Sequence, residues 1–248
     1  MSPNPILRAL SSIRKSGAKT LLMGGQACVF YGAAEFSRDL DLLLLADETN
    51  LDRLRAALDS LSAEPIAIPM LSAENLNRGL AIHFRCGRED VAGLRIDVMS
   101  VLRGVAKFDE VWSRRTTIEV ENVEVDMLSL ADLVRSKKTQ RDKDWPMIRR
   151  LVERSFFDGV DTPARVEFWL RELRTPELLV RVAKDHAVAA RSIATERPAV
   201  RIAQDGGLEQ VEMAIAQEEI EERRRDRTYW EPLKQELEQL RRTRRQRE

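Results

Sequence analysis

The chain has 248 residues, 43% of them hydrophobic and 33% charged, with 41 basic side chains balanced by 41 acidic ones. That length allows one large domain or two small ones with a real core, and the composition is that of a soluble globular protein. Zero net charge removes any global field toward nucleic acid or anionic membrane, and no apolar run approaches the roughly 18 residues of a membrane span.

Residues 4–16 read as a short helix with Ile6, Leu7, Leu10 and Ile13 on one face. The opening MSPNPILRAL lacks the long apolar core of a signal peptide. Residues 20–23 form a short strand ending at Gly24-Gly25. A helix is expected over 26–34 and a strand over 39–45. Residues 48–61 make an amphipathic helix with Leu51, Leu54, Leu58 and Leu61 at helical spacing. A less regular stretch holds Pro65 and Pro69. Strands follow at 80–86 and 94–101, joined by the polar turn Gly87–Gly93. Residues 116–120 and 123–127 read as a hairpin turning at Glu121-Asn122. Beyond Leu128 nearly everything is helical, with a loop at 158–163 and a break at Gly206-Gly207.

The stretch 208–245 reads as one or two long surface helices. Glu219 and Glu221 stand four residues before Arg223 and Arg225, the favourable order for helix ion pairs. Leu233, Leu237 and Leu240 are its expected buried stripe. The fold class is therefore α/β (α+β): a mixed sheet flanked by helices at 1–155, then a helical C-terminal domain at 156–248. Cys28 and Cys86 sit in apolar surroundings without C-x-x-C spacing. Neither a zinc site nor a disulfide framework is expected, and a reducing cytoplasm is the expected compartment.

The feature that points to chemistry is the pair Asp39 and Asp41 in an otherwise apolar strand. Residues i and i+2 of a strand share a face. Two carboxylates on a mostly buried face are costly unless a positive charge holds them. A divalent cation meets that need, since Mg²⁺ is usually held by one or two carboxylates plus substrate phosphates. Asp97, in Leu94-Arg95-Ile96-Asp97-Val98-Met99, is a third acid in an apolar strand. Three such acids on adjacent strands suit two metal ions about 3.5–4 Å apart, the geometry of in-line displacement at phosphorus. Asp97 is also placed to serve as base, although Arg95 on its own strand face is a ready ion-pair partner. Gly24 and Gly25 would let backbone approach a triphosphate, with the N–H groups of the next helix behind them.

Met23-Gly24-Gly25, Asp39-Leu40-Asp41 and Ile96-Asp97-Val98 together resemble the nucleotidyltransferase superfamily that includes DNA polymerase beta. Gly24-Gly25-Gln26-Ala27 and Phe36-Ser37-Arg38-Asp39-Leu40-Asp41 resemble more closely the AbiEii-type nucleotidyltransferases, toxins of type IV toxin–antitoxin systems. That resemblance extends over roughly residues 18–155. Downstream it includes Leu133-Val134-Arg135-Ser136-Lys137 and Arg141-Asp142-Lys143-Asp144. Glu35 departs from it, since many relatives carry a basic residue there. The resemblance implies Asp39, Asp41 and Asp97 as catalytic metal ligands and two Mg²⁺ ions. It implies Gly24, Gly25, Ser37, Lys137 and Arg141 in nucleotide binding; read from its place in the chain, Ser37 braces the turn before the acid strand. It further implies an NTP substrate, a tRNA or protein hydroxyl as acceptor, and an antitoxin partner.

Other readings stay open. The first rival is a transferase that modifies a small molecule such as an antibiotic, and the second is a silent nucleotide- or protein-binding module. Asp144, two residues before Pro146, is a candidate helix N-cap. His83, alternating with Ile82 and Phe84, faces either the site or solvent. His186 reads as a surface helix residue, and neither histidine has the context of a nucleophile triad. The basic end Arg241–Arg247 reads as a solvated helix terminus, with RNA phosphate binding as the alternative.

Overall fold

The computed structural model describes residues 4–245, with side chains as far as residue 243. Arg244 and Arg245 therefore have no described side chains, and Gln246 and Arg247 of the basic end lie outside the described residues.

The chain divides into two compact units, Met1–Ser136 with Trp230–Glu248, and Lys137–Tyr229. In the first, α1 (Pro5–Lys15) is followed by β1 (Thr20–Met23), α2 (Gly24–Phe30), β2 (Asp39–Leu44) and α3 (Glu48–Ser60). Then come β3 (Ala63–Pro65), α4 (Ala73–Asn77), β4 (Ile82–Cys86), β5 (Arg95–Met99) and α5 (Phe108–Ser113). The hairpin β6 (Thr116–Val120) and β7 (Val123–Met127) and the helix α6 (Leu130–Ser136) complete it. Among the described residues the seven strands form one mixed sheet in the order β3-β4-β5-β2-β1-β7-β6. The pairs β2–β5 and β1–β7 are parallel, the others antiparallel.

Local chemistry starts and stops these elements. Asn4 caps α1 by accepting from the Ile6 N–H at 3.0 Å, Pro5 occupies the first turn, and Arg14 and Lys15 close the last. Asp47 caps α3 in the same way, accepting from Asn50 N at 2.8 Å. Asn50 is itself buried and donates to the carbonyls of Lys19 and Leu45, tying the start of β1 to the end of β2. The β6–β7 turn has φ of 48° at Glu121 and 63° at Asn122, the two left-handed residues that a tight hairpin of native twist needs.

Asp132 is a buried acid with a structural task. It accepts from Arg114 Nε at 2.7 Å, Arg114 Nη2 at 2.9 Å and Ser129 Oγ at 2.7 Å, and it is 1% exposed. Burial pushes its carboxyl up, but the hydrogen bonds from Arg114 and Ser129 outweigh burial and hold it below the usual carboxylate range. A pKa depressed by folding contributes stability above the unfolded value, about 3.9, and that stability is lost as pH falls through the folded value. Arg114→Met is therefore expected to cost about 2 kcal/mol near neutral pH, the scale of hydrogen bonds to a charged group. Urea midpoints measured across pH should show the deficit shrinking as acid protonates Asp132. A deficit constant with pH would refute the assignment.

The second unit is helical: α7 (Asp144–Phe157), α8 (Pro163–Glu172), α9 (Pro176–Asp185), α10 (Ala187–Ile193), α11 (Pro198–Asp205) and α12 (Leu208–Arg245) as far as Tyr229. The helix α7, which the sequence reading placed in the first domain, groups here with the later helices. The stretch from 208 is one helix that continues through Pro232. Its expected ion pairs form, Arg223 with Glu219 at 2.6 Å and Arg225 with Glu221 at 3.0 Å. The expected buried stripe is corrected. Leu233 and Leu237 are only half-buried and Leu240 is exposed, whereas Val211 and Ile215 near the helix start are buried. At that far end the contact is narrow: Trp230 and Leu233 lie over Gly79, where a Cβ would come within 3.4 Å of the indole.

Three elements were not expected, β3, α4 and α5. Each is too short to build a periodic signal. The strand β3 is three residues long at the sheet edge, where Pro65 can be tolerated. In α5, burial of Phe108 and Val111 and stacking of Trp112 on Phe108 at 5.5 Å hold a single short helix. Asp144 is corrected as well: Lys143 is the cap position, and Asp144 is the first residue of α7.

Among the described residues, no helix is long and apolar enough to cross a membrane.

Candidate active site

The register of the central strands decides which side chains meet. Asp39 lies opposite Arg95, and Asp41 opposite Asp97, across the parallel β2–β5 pair. Across β4–β5, His83 lies opposite Asp97 and Arg85 opposite Arg95. Across β1–β2, Met23 lies opposite Asp41. One face of the sheet therefore carries a transverse row His83–Asp97–Asp41–Met23, with Arg85–Arg95–Asp39 as the next row. The other face carries Leu22, Leu40, Leu42, Ile82, Phe84, Ile96 and Val98, all buried. A slip of one residue would invert both faces, so the apolar set pins the acids where they are.

The glycines act sterically. Gly24 has φ of +67°, and a Cβ there would stand 1.9 Å from Asp41 Oδ2. A Cβ on Gly25 would come within 2.7 Å of Ser37 Oγ. The pair thus makes room for Asp41 and Ser37. Gly24 and Gly25 are themselves the first two residues of the seven-residue helix α2. Ser37 Oγ donates to the Asp39 carbonyl at 3.2 Å, which braces the turn into β2 as expected.

Asp97 is tightly engaged. Its Oδ1 accepts from Arg95 Nε at 2.7 Å and lies 2.8 Å from His83 Nδ1, while Arg95 Nη2 is 3.1 Å from the same Nδ1. One ring nitrogen cannot donate to the carboxylate and accept from the guanidinium together. Only the Arg95 Nε bond to Asp97 holds in either tautomer. Burial pushes the Asp97 carboxyl up, but the bonds from His83 and Arg95 outweigh it and hold it below the usual range. The Arg95 guanidinium is shifted upward by its bond to Asp97, against desolvation, and then by the charges of Asp97, Asp39 and Asp41. Arg95 and His83 thus belong to the site, though the sequence offered only their alternation within the strands as a signal.

A divalent ion fits this face in chemistry: three carboxylates, hard oxygen donors, presented by adjacent strands beside a glycine-lined approach. The third acid is turned toward Arg95. Among the described residues no three acid, histidine or cysteine side chains converge at metal-ligand spacing.

Two further residues flank the acids. Phe36 is 71% exposed, and the Arg38 guanidinium lies 5.9 Å from its ring. They stand on either side of Ser37, on the loop leading into β2.

Lys137 and Arg141 belong to the second unit, on the connector before α7. Lys137 Nζ is paired with Asp144 Oδ1 at 3.0 Å, a nearly buried pair that Thr139 Oγ1 completes by donating to Oδ2 at 2.7 Å. The neighbouring Lys138 is paired with Glu172 at 2.6 Å. Arg141 is exposed. His186 sits at the junction of α9 and α10, with Nε2 3.2 Å from Asp161. Cys28 and Cys86 are buried and form no disulfide.

No protein-family model and no curated protein matches the chain. Among solved structures, an antigenic nucleotidyltransferase-like protein from Paracoccidioides brasiliensis is 17% identical with a TM-score of 0.40, covering 80% of this chain and 91% of its own. JHP933 from Helicobacter pylori is 14% identical with a TM-score of 0.33, covering 92% and 94%. Likeness at this level carries no argument about activity, which must rest on the site.

Proposed function

We propose that the chain is a nucleotidyltransferase, moving a nucleoside monophosphate from an NTP to a hydroxyl acceptor with release of pyrophosphate. The observation that supports it is the gathering of Asp39, Asp41 and Asp97 on one half-buried sheet face beside Gly24. Mg²⁺, two ions by the resemblance, would be held by these three acids and would neutralise phosphate charge and acidify the acceptor hydroxyl. The depressed pKa of Asp97 keeps it a carboxylate near neutrality. In that state it can accept a hydrogen bond from the attacking hydroxyl and orient it. Ser37 holds the turn that presents Asp39. Lys137 and Arg141 are the proposed phosphate contacts, on their match to the Leu-x-x-x-Lys and Arg-x-Lys-Asp motifs. The acceptor is proposed to be a tRNA 3′ end or a protein hydroxyl, and the role toxin-like with an antitoxin partner. Both rest on the Phe-Ser-x-Asp-x-Asp resemblance.

A second reading, a nucleotide- or protein-binding module without chemistry, is favoured by one observation: Asp97 is already engaged by Arg95 and His83. Incubation of the purified chain with each α-labelled NTP, Mg²⁺ and total tRNA separates the two. Label is expected to enter RNA or the protein itself, and not with an Asp39→Asn/Asp41→Asn control. Binding of Mg²⁺–nucleotide without any transfer would favour the silent nucleotide-binding module, and failure to bind it would overturn the transferase reading and favour the protein-binding one.

A further inference from the structure

On the reading that Asp39, Asp41 and Asp97 receive a divalent ion, we propose that Arg95 is the resident counter-ion of that site. It pairs with Asp97 while the ion is absent and must leave it for the ion to bind. Arg95 is thereby a positioning residue that sets the metal affinity of the face and makes loading depend on a second anion.

The argument begins with strand geometry. Arg95 and Asp97 are i and i+2 on β5, so they share a face. The parallel register then sets Asp39 beside Arg95 and Asp41 beside Asp97. Arg95 is thus the near neighbour of all three carboxylates: one along its strand, one directly across, one diagonal. Its Nε bonds Asp97 Oδ1 at 2.7 Å, and the bond holds whichever tautomer His83 adopts. Without this guanidinium the partly buried Asp97 would lose the one bond that holds in either tautomer, and a carboxylate left short of its partner there is costly.

A divalent ion on the same three acids would bring a double positive charge against the guanidinium, and like charges at that range repel strongly in a partly buried setting. The two occupants therefore exclude one another at Asp97. Arg95 has a route out, since its side chain is 38% exposed and ends a long flexible stem. An incoming triphosphate supplies a new anionic partner for a planar guanidinium that favours phosphate oxygens. The ion and the triphosphate should accordingly bind more tightly together than either alone, and the bare chain should bind ions weakly.

The test uses the full chain and two readouts other than activity: Mn²⁺ titration without nucleotide, and melting in EDTA against saturating Mg²⁺. Arg95→Met is expected to bind Mn²⁺ at least about tenfold more tightly than wild type, roughly 1.4 kcal/mol. It should melt below wild type in EDTA, and the gap should close in Mg²⁺, because the ion takes over the counter-charge. Arg95→Lys, which keeps the charge, should stay near wild type in Mn²⁺ affinity. Asp39→Asn/Asp41→Asn placed on Arg95→Met should remove the tight binding.

Equal Mn²⁺ affinity in wild type and Arg95→Met, or the same melting deficit with and without Mg²⁺, would make Arg95 a purely structural partner and overturn the inference. The metal reading of the acids would still stand, provided wild type binds Mn²⁺. Tight binding by Arg95→Lys would refute the charge argument in the same way. If neither wild type nor Arg95→Met binds any Mn²⁺, both the inference and the assignment of the acids fail.

Discussion

An Asp41→Asn variant is expected to lose transfer by about a thousandfold or more while keeping its fold. Metal-assisted stabilisation of charge at phosphorus is worth several kcal/mol, and each 1.36 kcal/mol is about tenfold in rate. Asp41 lies in its row between Asp97 on one neighbouring strand and Met23 on the other. An amide of the same shape keeps the packing over Gly24 but gives up the negative charge. The urea midpoint reports separately whether the carboxylate also supports the fold. Rate and midpoint measured on one preparation decide the matter. A variant with a wild-type rate would remove Asp41 from the site, and one that fails to fold would mean the carboxylate is structural.

The largest expected effect on stability belongs to Gly24→Ala, about 2–5 kcal/mol. A left-handed backbone costs an L-residue about 1–2 kcal/mol, and forced overpacking about 1–3 more. Both apply here, since φ is +67° and the new Cβ would fall 1.9 Å from Asp41 Oδ2 and 2.7 Å from Asp41 Cβ. The two parts can be separated. Asp41→Gly removes every atom of the clash, so the double variant should recover the overpacking share and retain only the backbone share. Denaturation of the two single variants and the double variant gives the coupling directly. Strictly additive losses would show that Gly24 is required for its backbone alone. The result also bears on function, because it asks whether the glycine exists for the acid or for a ligand.

Much of the first unit was legible because its signals are repetitive. Leu40, Leu42, Ile96 and Val98 alternate with acids, and alternation at period two is what a half-buried strand requires. The helices α1 and α3 carry stripes of four apolar residues and capping residues at their starts. The hairpin β6–β7 was readable from the Glu121-Asn122 turn. Short pieces were not: β3, α4 and α5 span three to six residues each, too few for periodicity to outweigh composition. The end of α12 misled because Leu233, Leu237 and Leu240 repeat at helical spacing whether or not a partner surface covers them.

Within the site, the sequence by itself determined that three carboxylates stand on strands, which of them share a strand face, and that Arg95 shares Asp97's face. These follow from the two-residue period, a property of a single strand. It could not determine which strands are neighbours or in what register, because pairing is a contact between distant segments. Only the tertiary structure set Asp97 against Asp41 and Asp39 against Arg95, and brought His83 from β4 onto the Asp97 carboxylate that Arg95 already holds within its own strand. The same holds for Gly24. Its neighbours in sequence suggest a ligand loop, yet the atoms that forbid a side chain there belong to Asp41, seventeen residues away along the chain and in contact only once the sheet has formed.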